Sequence, residues 1–331
     1  MRKIFITAEI GNNHEGNFQL AKKLIVEAKK CGVDAVKFQT FIPDLYVSNE
    51  DKSRIKRLKK FQFSHDQFKK LSEFCKKLGI IFFSTPFDVG SAKFLNKIQN
   101  IFKISSSDND FDLLIETLAK FNKSLIISTG LADLNLIKKA KKIVHNEWKK
   151  IKKKQNRNLI LMHCVTSYPV KDEEANLAVI QNLKKNFSDC IIGYSDHTIG
   201  STASLAAASL GAMYIEKHFT IDKNYSNFRD HKLSSDPKEM RELVLNIRRF
   251  EKLLGTDTKK IQKSEKYNLK TIRRKAVALN DIDKGKKISK KDIKWVRASK
   301  GFTYNQKKKI INKITKKKIY KEQIIISNQL K

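Results

Sequence analysis

Short apolar runs alternate along the chain with longer stretches of helical periodicity, the rhythm of repeated strand–helix units. Eight runs read as strands: Ile4–Ile10, Ala35–Thr40, Ile80–Ser84, Ile101–Ser105, Ser124–Ser128, Leu159–Val165, Cys190–Ser195 and Tyr214–Phe219. A helical pattern follows each, the last at about Pro237 to Leu254. Eight parallel strands close most economically into a ring, so residues 1–254 are expected to form a (β/α)₈ barrel of the TIM type. Gly255-Thr256-Asp257 then opens a polar linker, 255–275. Residues 276–331 carry strand-like runs around turn residues. They are too short for another βαβ unit and read as a small β-rich domain.

Polar residues of unusual kinds gather at the C-terminal ends of the eight strands. In order these ends carry Glu9, Lys37 with Gln39, Ser84-Thr85, Ser105-Ser106-Ser107-Asp108, Ser128-Thr129, Thr166 with Tyr168, Ser195-Asp196-His197, and Lys217-His218. In a barrel these ends converge on one mouth, where active sites sit. Helix capping accounts for some of the Ser, Thr and Asp residues. It does not account for a glutamate, two lysines, a glutamine and two histidines at one topological position.

The formal net charge is +35. Such a charge ordinarily points to nucleic acid, but the lysines are spread over almost every helical segment. Around the densest run, Lys138 to Lys154, apolar Leu134, Ile137, Ile143, Val144 and Trp148 recur, as on an amphipathic helix with a lysine solvent face. No specific nucleic-acid partner is therefore expected. The absence of an 18-residue apolar run argues against a membrane span, and Ile4–Ile10 lacks the features of a signal peptide. Cys31, Cys75, Cys164 and Cys190 are far apart and form no C-x-x-C pair, which suits packed, reduced thiols in a cytoplasmic protein. Cys164 beside His163 reads as a small apolar filler.

His197 and His218, at the ends of consecutive strands beside Asp196 and Lys217, are candidate ligands for one divalent cation. Two imidazoles with oxygen partners suit Mn²⁺ first and Mg²⁺ second, better than a closed zinc site. Lys37 and Lys103 flank the mouth, with Ser84, Thr85, Ser106 and Ser128 as hydroxyl donors, a set suited to phosphate or carboxylate. No P-loop or G-x-G-x-x-G motif is present. Glu9 is the best candidate general acid or base. His14 is expected to support its loop and not to ligate.

The strings Ala8-Glu9-Ile10-Gly11-Asn12-Asn13-His14-Glu15-Gly16, Val36-Lys37-Phe38-Gln39-Thr40, Ser84-Thr85-Pro86-Phe87, Ser128-Thr129-Gly130, Tyr194-Ser195-Asp196-His197-Thr198 and Glu216-Lys217-His218-Phe219 resemble, in this order, the sialic acid synthase family. The resemblance covers nearly the whole chain, and Asn280–Gly285 resembles the start of the family's antifreeze-like (SAF) domain. It implies a transferase that joins C3 of phosphoenolpyruvate to the aldehyde carbon of an open-chain N-acetylmannosamine-type sugar. By the same likeness His197 and His218 hold Mn²⁺, and Glu9 orients or deprotonates the attacking water. Lys37, Thr85, Lys103, Ser106, Ser128 and Ser195 resemble the phosphoenolpyruvate cradle; Gln39, Asp108, Tyr168 and Asp230 fall where the family contacts the acceptor. Arg297 resembles an arginine that the tail domain carries to a partner subunit's site, which implies a domain-exchanged homodimer.

Departures cluster at the sugar end. Asp108 stands where a Ser-Gly-Glu pattern is usual, Thr166 replaces an asparagine of some members, and Arg229 precedes Asp230 where proline is common. These leave open whether the acceptor is N-acetylmannosamine or a diacetamido-trideoxyhexose, as for legionaminic or pseudaminic acid. Another phosphoenolpyruvate-dependent aldolase, of the octulosonate or heptulosonate kind, fits the paired histidine strings less well. A polyanion-binding protein on a catalytically dead barrel would have lost Glu9, Lys37, His197 and His218.

Overall fold

The computed structural model describes residues 3–152 and 157–331, so Lys153 and Lys154 of the basic run lie outside it. The chain divides into two compact units, Met1–Gly255 and Thr256–Lys331. In the first, eight strands lie in one parallel sheet: β1 (Phe5–Gly11), β2 (Ala35–Thr40), β3 (Ile81–Pro86), β4 (Ile101–Ile104), β5 (Ser124–Ser128), β6 (Leu159–Cys164), β7 (Ile191–Asp196) and β8 (Tyr214–His218). The order is β3-β2-β1-β8-β7-β6-β5-β4, with β1 zipped to β8 from Phe5↔Tyr214 to Glu9↔His218. The predicted barrel is thus present, its strands shifted at most by a residue or two at their ends.

Local signals set the helices. Phe18–Cys31 starts at Asn17, whose side chain accepts the Leu20 N–H, and stops at Gly32 in the left-handed region. Capping boxes open His65–Leu78 (Ser64 with Gln67) and Pro237–Leu254 (Asp236 with Glu239). Leu134–Lys150 buries Ile137, Ala140 and Val144 and exposes most of its lysines, as its pattern predicts.

Two apolar layers hold the barrel. One lies between strands and helices. The other fills the lower interior: Ala35, Phe83, Ile126, Ile160, Met162 and Tyr214, with Phe5 stacked on Tyr214 at 4.5 Å. Side chains alternate across a strand, so the residues two positions further along several of these strands rise from this plug into the mouth.

β3 and β4, neighbours in space, share no ladder. Buried Gln99 bridges them instead: its Oε1 accepts the Ser84 N–H (2.8 Å), while Nε2 donates to Ser84 O and Ile101 O (3.0 Å each). One side-chain amide stands in for the missing peptide.

In the second unit β9 (Arg274–Ala278) pairs antiparallel with β10 (Ile293–Arg297). Ile282, Ile288, Ile310, Ile319, Ile325 and Leu330 form its core with Ala276 and Ala278. The stretch read as plain linker contains a helix, Lys266–Thr271, and β9 begins before residue 276.

Replacing Gln99 with Leu should strand the buried N–H and C=O of Ser84 and the half-buried carbonyl of Ile101, and lower the unfolding free energy of the barrel by about 3 kcal/mol, read by denaturant titration. A loss under about 1 kcal/mol would mean that the amide does not close the ring.

Candidate active site

Glu9 leaves β1 at a bulge, where the pairing with β2 shifts register between Glu9 and Gly11. Gly11 has φ +54°, and a Cβ there would sit 3.1 Å from Glu9 Oε1. Only glycine leaves both the backbone and the carboxylate where they are. Glu9 Oε2 lies 2.9 Å from Lys37 Nζ, Lys37 Nζ 3.5 Å from Glu216 Oε1, and Glu216 Oε1 2.7 Å from Lys103 Nζ. All four residues are at most 4% exposed. Lys37 also donates to Thr85 Oγ1 (3.2 Å), Ser195 Oγ to Glu216 Oε1 (3.2 Å), and Gln39 Nε2 to Glu9 Oε1 (3.2 Å). Asn12 orients that amide by donating to Gln39 Oε1 at 2.7 Å.

The same burial acts differently on each of the four charges. Burial raises the Glu9 carboxyl to about 7; Lys37 opposes the rise and Glu216 adds to it. Burial pushes Glu216 up too, but the ammonium groups of Lys103 and Lys37 outweigh it and hold that carboxyl at about 2. Lys37 stays above the usual lysine range despite burial, because Glu216 and Glu9 flank it; Lys103, with Glu216 alone, is pulled below it by burial. Glu9 is therefore the member poised to exchange a proton near neutral pH.

Above the quartet the rings of His197 and His218 lie 5.3 Å apart at 63°. His197 Nδ1 is 2.8 Å from Val165 O, which assigns a proton to Nδ1 and makes Nε2 the nitrogen that a metal would take. Burial holds His218 well below the ordinary histidine value, hence neutral, and its Nδ1 has no hydrogen-bond partner. A neutral His218 with an orphaned buried nitrogen, beside His197 whose Nδ1 is taken by Val165 O, fits a divalent cation. Burial lowers His197, but Cys164 and the Val165 carbonyl outweigh it and hold that ring above the ordinary histidine value. No group of three or more His, Cys, Asp or Glu side chains among the described residues is arranged to hold a metal, so oxygen ligands from substrate or water would have to complete the shell.

Asp196 and Lys217 do not stand beside these histidines as expected. Strand alternation turns them to the outer face, both fully buried, 3.1 Å apart. There Asp196 accepts the Thr198 N–H (2.8 Å), the Thr198 hydroxyl (2.8 Å) and the Ser204 hydroxyl (2.6 Å), fixing the turn that carries His197. By the same alternation Ser84 faces away from the mouth and shares a 2.6 Å hydrogen bond with Thr40.

A cavity of about 1320 Å³ opens over the quartet and gathers Glu9, Lys37, Gln39, Thr85, Lys103, Ser106, Ser128, Tyr168, Ser195, His197, His218 and Asp230. Ser106 and Thr166 close in on Gly130, where a Cβ would lie 2.7 Å from Ser106 Oγ. Tyr168 sits 4.2 Å from the His197 ring; Arg229 stacks over Tyr168 at 4.9 Å with its Nε 3.3 Å from Asp230 Oδ1. Asp108 is off the cavity wall, its carboxylate taken by Ser105 (2.7 Å) and Ser107 (3.1 Å). Arg297 is the exposed last residue of β10 in the second unit. His14 stacks on Phe63 at 4.1 Å, accepts the Gly16 N–H and is held at about 3 by burial, a loop support. Cys164, expected as a filler, is buried and lines the cavity with its thiol 3.8 Å from His197 Nδ1.

Sequence reasoning gave Glu216 no role, although a period of two places it on the same face as His218. It also gave no role to Arg54, Arg57 and Phe61, which the rim helix Lys52–Phe61 brings to the cavity. That helix follows β2 with no motif of its own.

The NeuB family profile matches residues 24–259, and the SAF domain profile residues 273–331. The chain is 38% identical to N,N'-diacetyllegionaminic acid synthase of Campylobacter jejuni, over 98% of this chain and 99% of that one. It is 35% identical to N-acetylneuraminate-9-phosphate synthase of Mus musculus, over 78% and 73%. Among solved structures, N-acetylneuraminic acid synthetase of Leptospira borgpetersenii superposes with a TM-score of 0.75 at 36% identity, covering 81% of this chain and 90% of that one. With the fold, the site and these likenesses in agreement, the chain belongs to the NeuB family and is an enzyme of that kind.

Proposed function

We propose that the protein condenses phosphoenolpyruvate, water and an open-chain N-acylated amino sugar into a nine-carbon sugar acid and phosphate. The observation that carries this reading is the Glu9–Lys37–Glu216–Lys103 quartet beneath the paired imidazoles of His197 and His218. Lys37 and Lys103, with the hydroxyls of Thr85, Ser106, Ser128 and Ser195, bind the phosphate and carboxylate of phosphoenolpyruvate. His197 and His218 would hold a divalent cation, Mn²⁺ before Mg²⁺, which when bound polarises the sugar aldehyde. C3 of phosphoenolpyruvate forms a bond to the aldehyde carbon, whose oxygen takes up a proton. Water adds at C2, Glu9 accepts its proton, and phosphate departs with the C2–O bond. Glu216 keeps both lysines charged and in place and so positions the anion.

Gln39, Tyr168, Arg229 and Asp230 face the acceptor. Full-length likeness to a diacetyllegionaminic acid synthase favours a 2,4-diacetamido-trideoxyhexose over N-acetylmannosamine. The SAF unit would carry Arg297 to the site of a second copy, in a homodimer working in the cytoplasm.

Phosphate release from phosphoenolpyruvate and Mn²⁺, measured across a panel of both sugar types with product masses, tests the whole reading. Release with a 2,4-diacetamido sugar is expected; none with any amino sugar would sink it. The kcat/KM of the active pair should rise with pH as Glu9 ionises near 7 and level off above. Glu9→Gln should flatten that limb and slow turnover by on the order of 10³-fold, so an unaltered profile would remove Glu9 as the base. Arg297→Ala should depress turnover without weakening Mn²⁺ binding by calorimetry; equal turnover would exclude the SAF unit from the chemistry.

A further inference from the structure

From the acceptor side of the cavity, whose wall includes Glu15 and Ser226, a chain of polar contacts that the proposed reaction does not use runs back into the protein. His231 is 1% exposed and forms no part of the cavity wall. Its Nε2 lies 3.1 Å from Glu15 Oε1, and its Nδ1 2.7 Å from the hydroxyl of fully buried Thr220. Glu15 Oε1 also accepts the hydroxyl of Ser226. Glu15 reaches this spot from a left-handed backbone position, φ +46°, a conformation a glutamate rarely adopts without compensating contacts. His231 packs against Tyr225 at 5.3 Å and Phe228 at 6.1 Å. One imidazole thus joins the turn after β1 to both ends of the segment that follows β8. Arg229 and Asp230 sit in that segment, immediately before His231.

We propose that His231 is the positioning residue for the acceptor sugar, acting through Glu15 and Thr220 to hold Arg229 and Asp230 against Tyr168. The proposal rests on the reading that this side of the cavity takes the sugar. The lysine cradle stands on other strands, β2 and β4, so the clasp governs one substrate and leaves the other alone.

Steady-state kinetics with each substrate varied in turn test this. His231→Leu should raise the acceptor KM about tenfold and move the phosphoenolpyruvate KM less than about twofold. His231→Gln, which keeps an N–H toward Glu15, should recover part of the loss, and Thr220→Val should shift the acceptor KM in the same direction. Equal rises in both KM values, or an unchanged acceptor KM in the folded variants, would overturn the proposal. Should His231→Leu fail to fold, Thr220→Val carries the same comparison. Hydrogen exchange separates this test from the function itself: residues 220–231 should exchange faster in His231→Leu whether or not the wild type turns over. Unchanged exchange there overturns the clasp; a wild type that releases no phosphate overturns the reaction.

Discussion

Two carboxylates and two ammonium groups, stripped of water and arranged in a line, are the constraint on which the rest of the site depends. Each ion alone would carry a desolvation penalty of several kcal/mol. Glu216 makes the arrangement tolerable by facing both lysines, and Ser195 and Thr85 add hydrogen bonds to Glu216 and Lys37. Balance is uneven, because Glu9 touches only one lysine and sits at the end of the line. That unevenness sets apart a carboxyl titrating near neutrality from one locked as an anion. The apolar plug beneath supplies the low-dielectric floor that makes the contrast large.

Much of the fold was legible because barrel strands repeat a simple rule. Apolar runs buried on both faces stand out against lysine-rich helices, and the polar ends of β1, β2, β5, β7 and β8 announced the mouth. Reading strand ends as blocks blurred which residues face inward. Asp196 and Lys217 belong to the outer face and Glu216 to the inner, a distinction held in strand alternation and absent from residue type. Asp108 was misplaced for another reason: its short turn ties the carboxylate to neighbouring serines, a local competition that spacing does not reveal. The rim helix and the Glu15–His231 contact join segments far apart in the chain, and no local pattern encodes them.

The mouth has a rigid half and a hung half. Lysines and histidines stand on laddered strands or directly at their ends, and the Asp196–Lys217 pair fixes the turn that carries His197. Tyr168, Arg229 and Asp230 lie on connecting segments, where residues vary most readily without disturbing the ring. The departures at Thr166 and Arg229 fall in this second half. Chemistry common to a family and selectivity that differs among its members thus have separate mechanical supports.

The Gln99 seam bears on how the ring can be assembled at all. β3 and β4 are consecutive in the chain, so bringing their edges together confines only a short loop, and a single amide suffices to hold them. β1 and β8 lie at opposite ends of the barrel sequence, where closing the loop gives up the most chain entropy. There the protein places a full ladder, from Phe5↔Tyr214 to Glu9↔His218. The joint without a ladder falls across the shortest connection in the ring, where the polymer resists least, and the joint that ties off the longest contour is fully laddered.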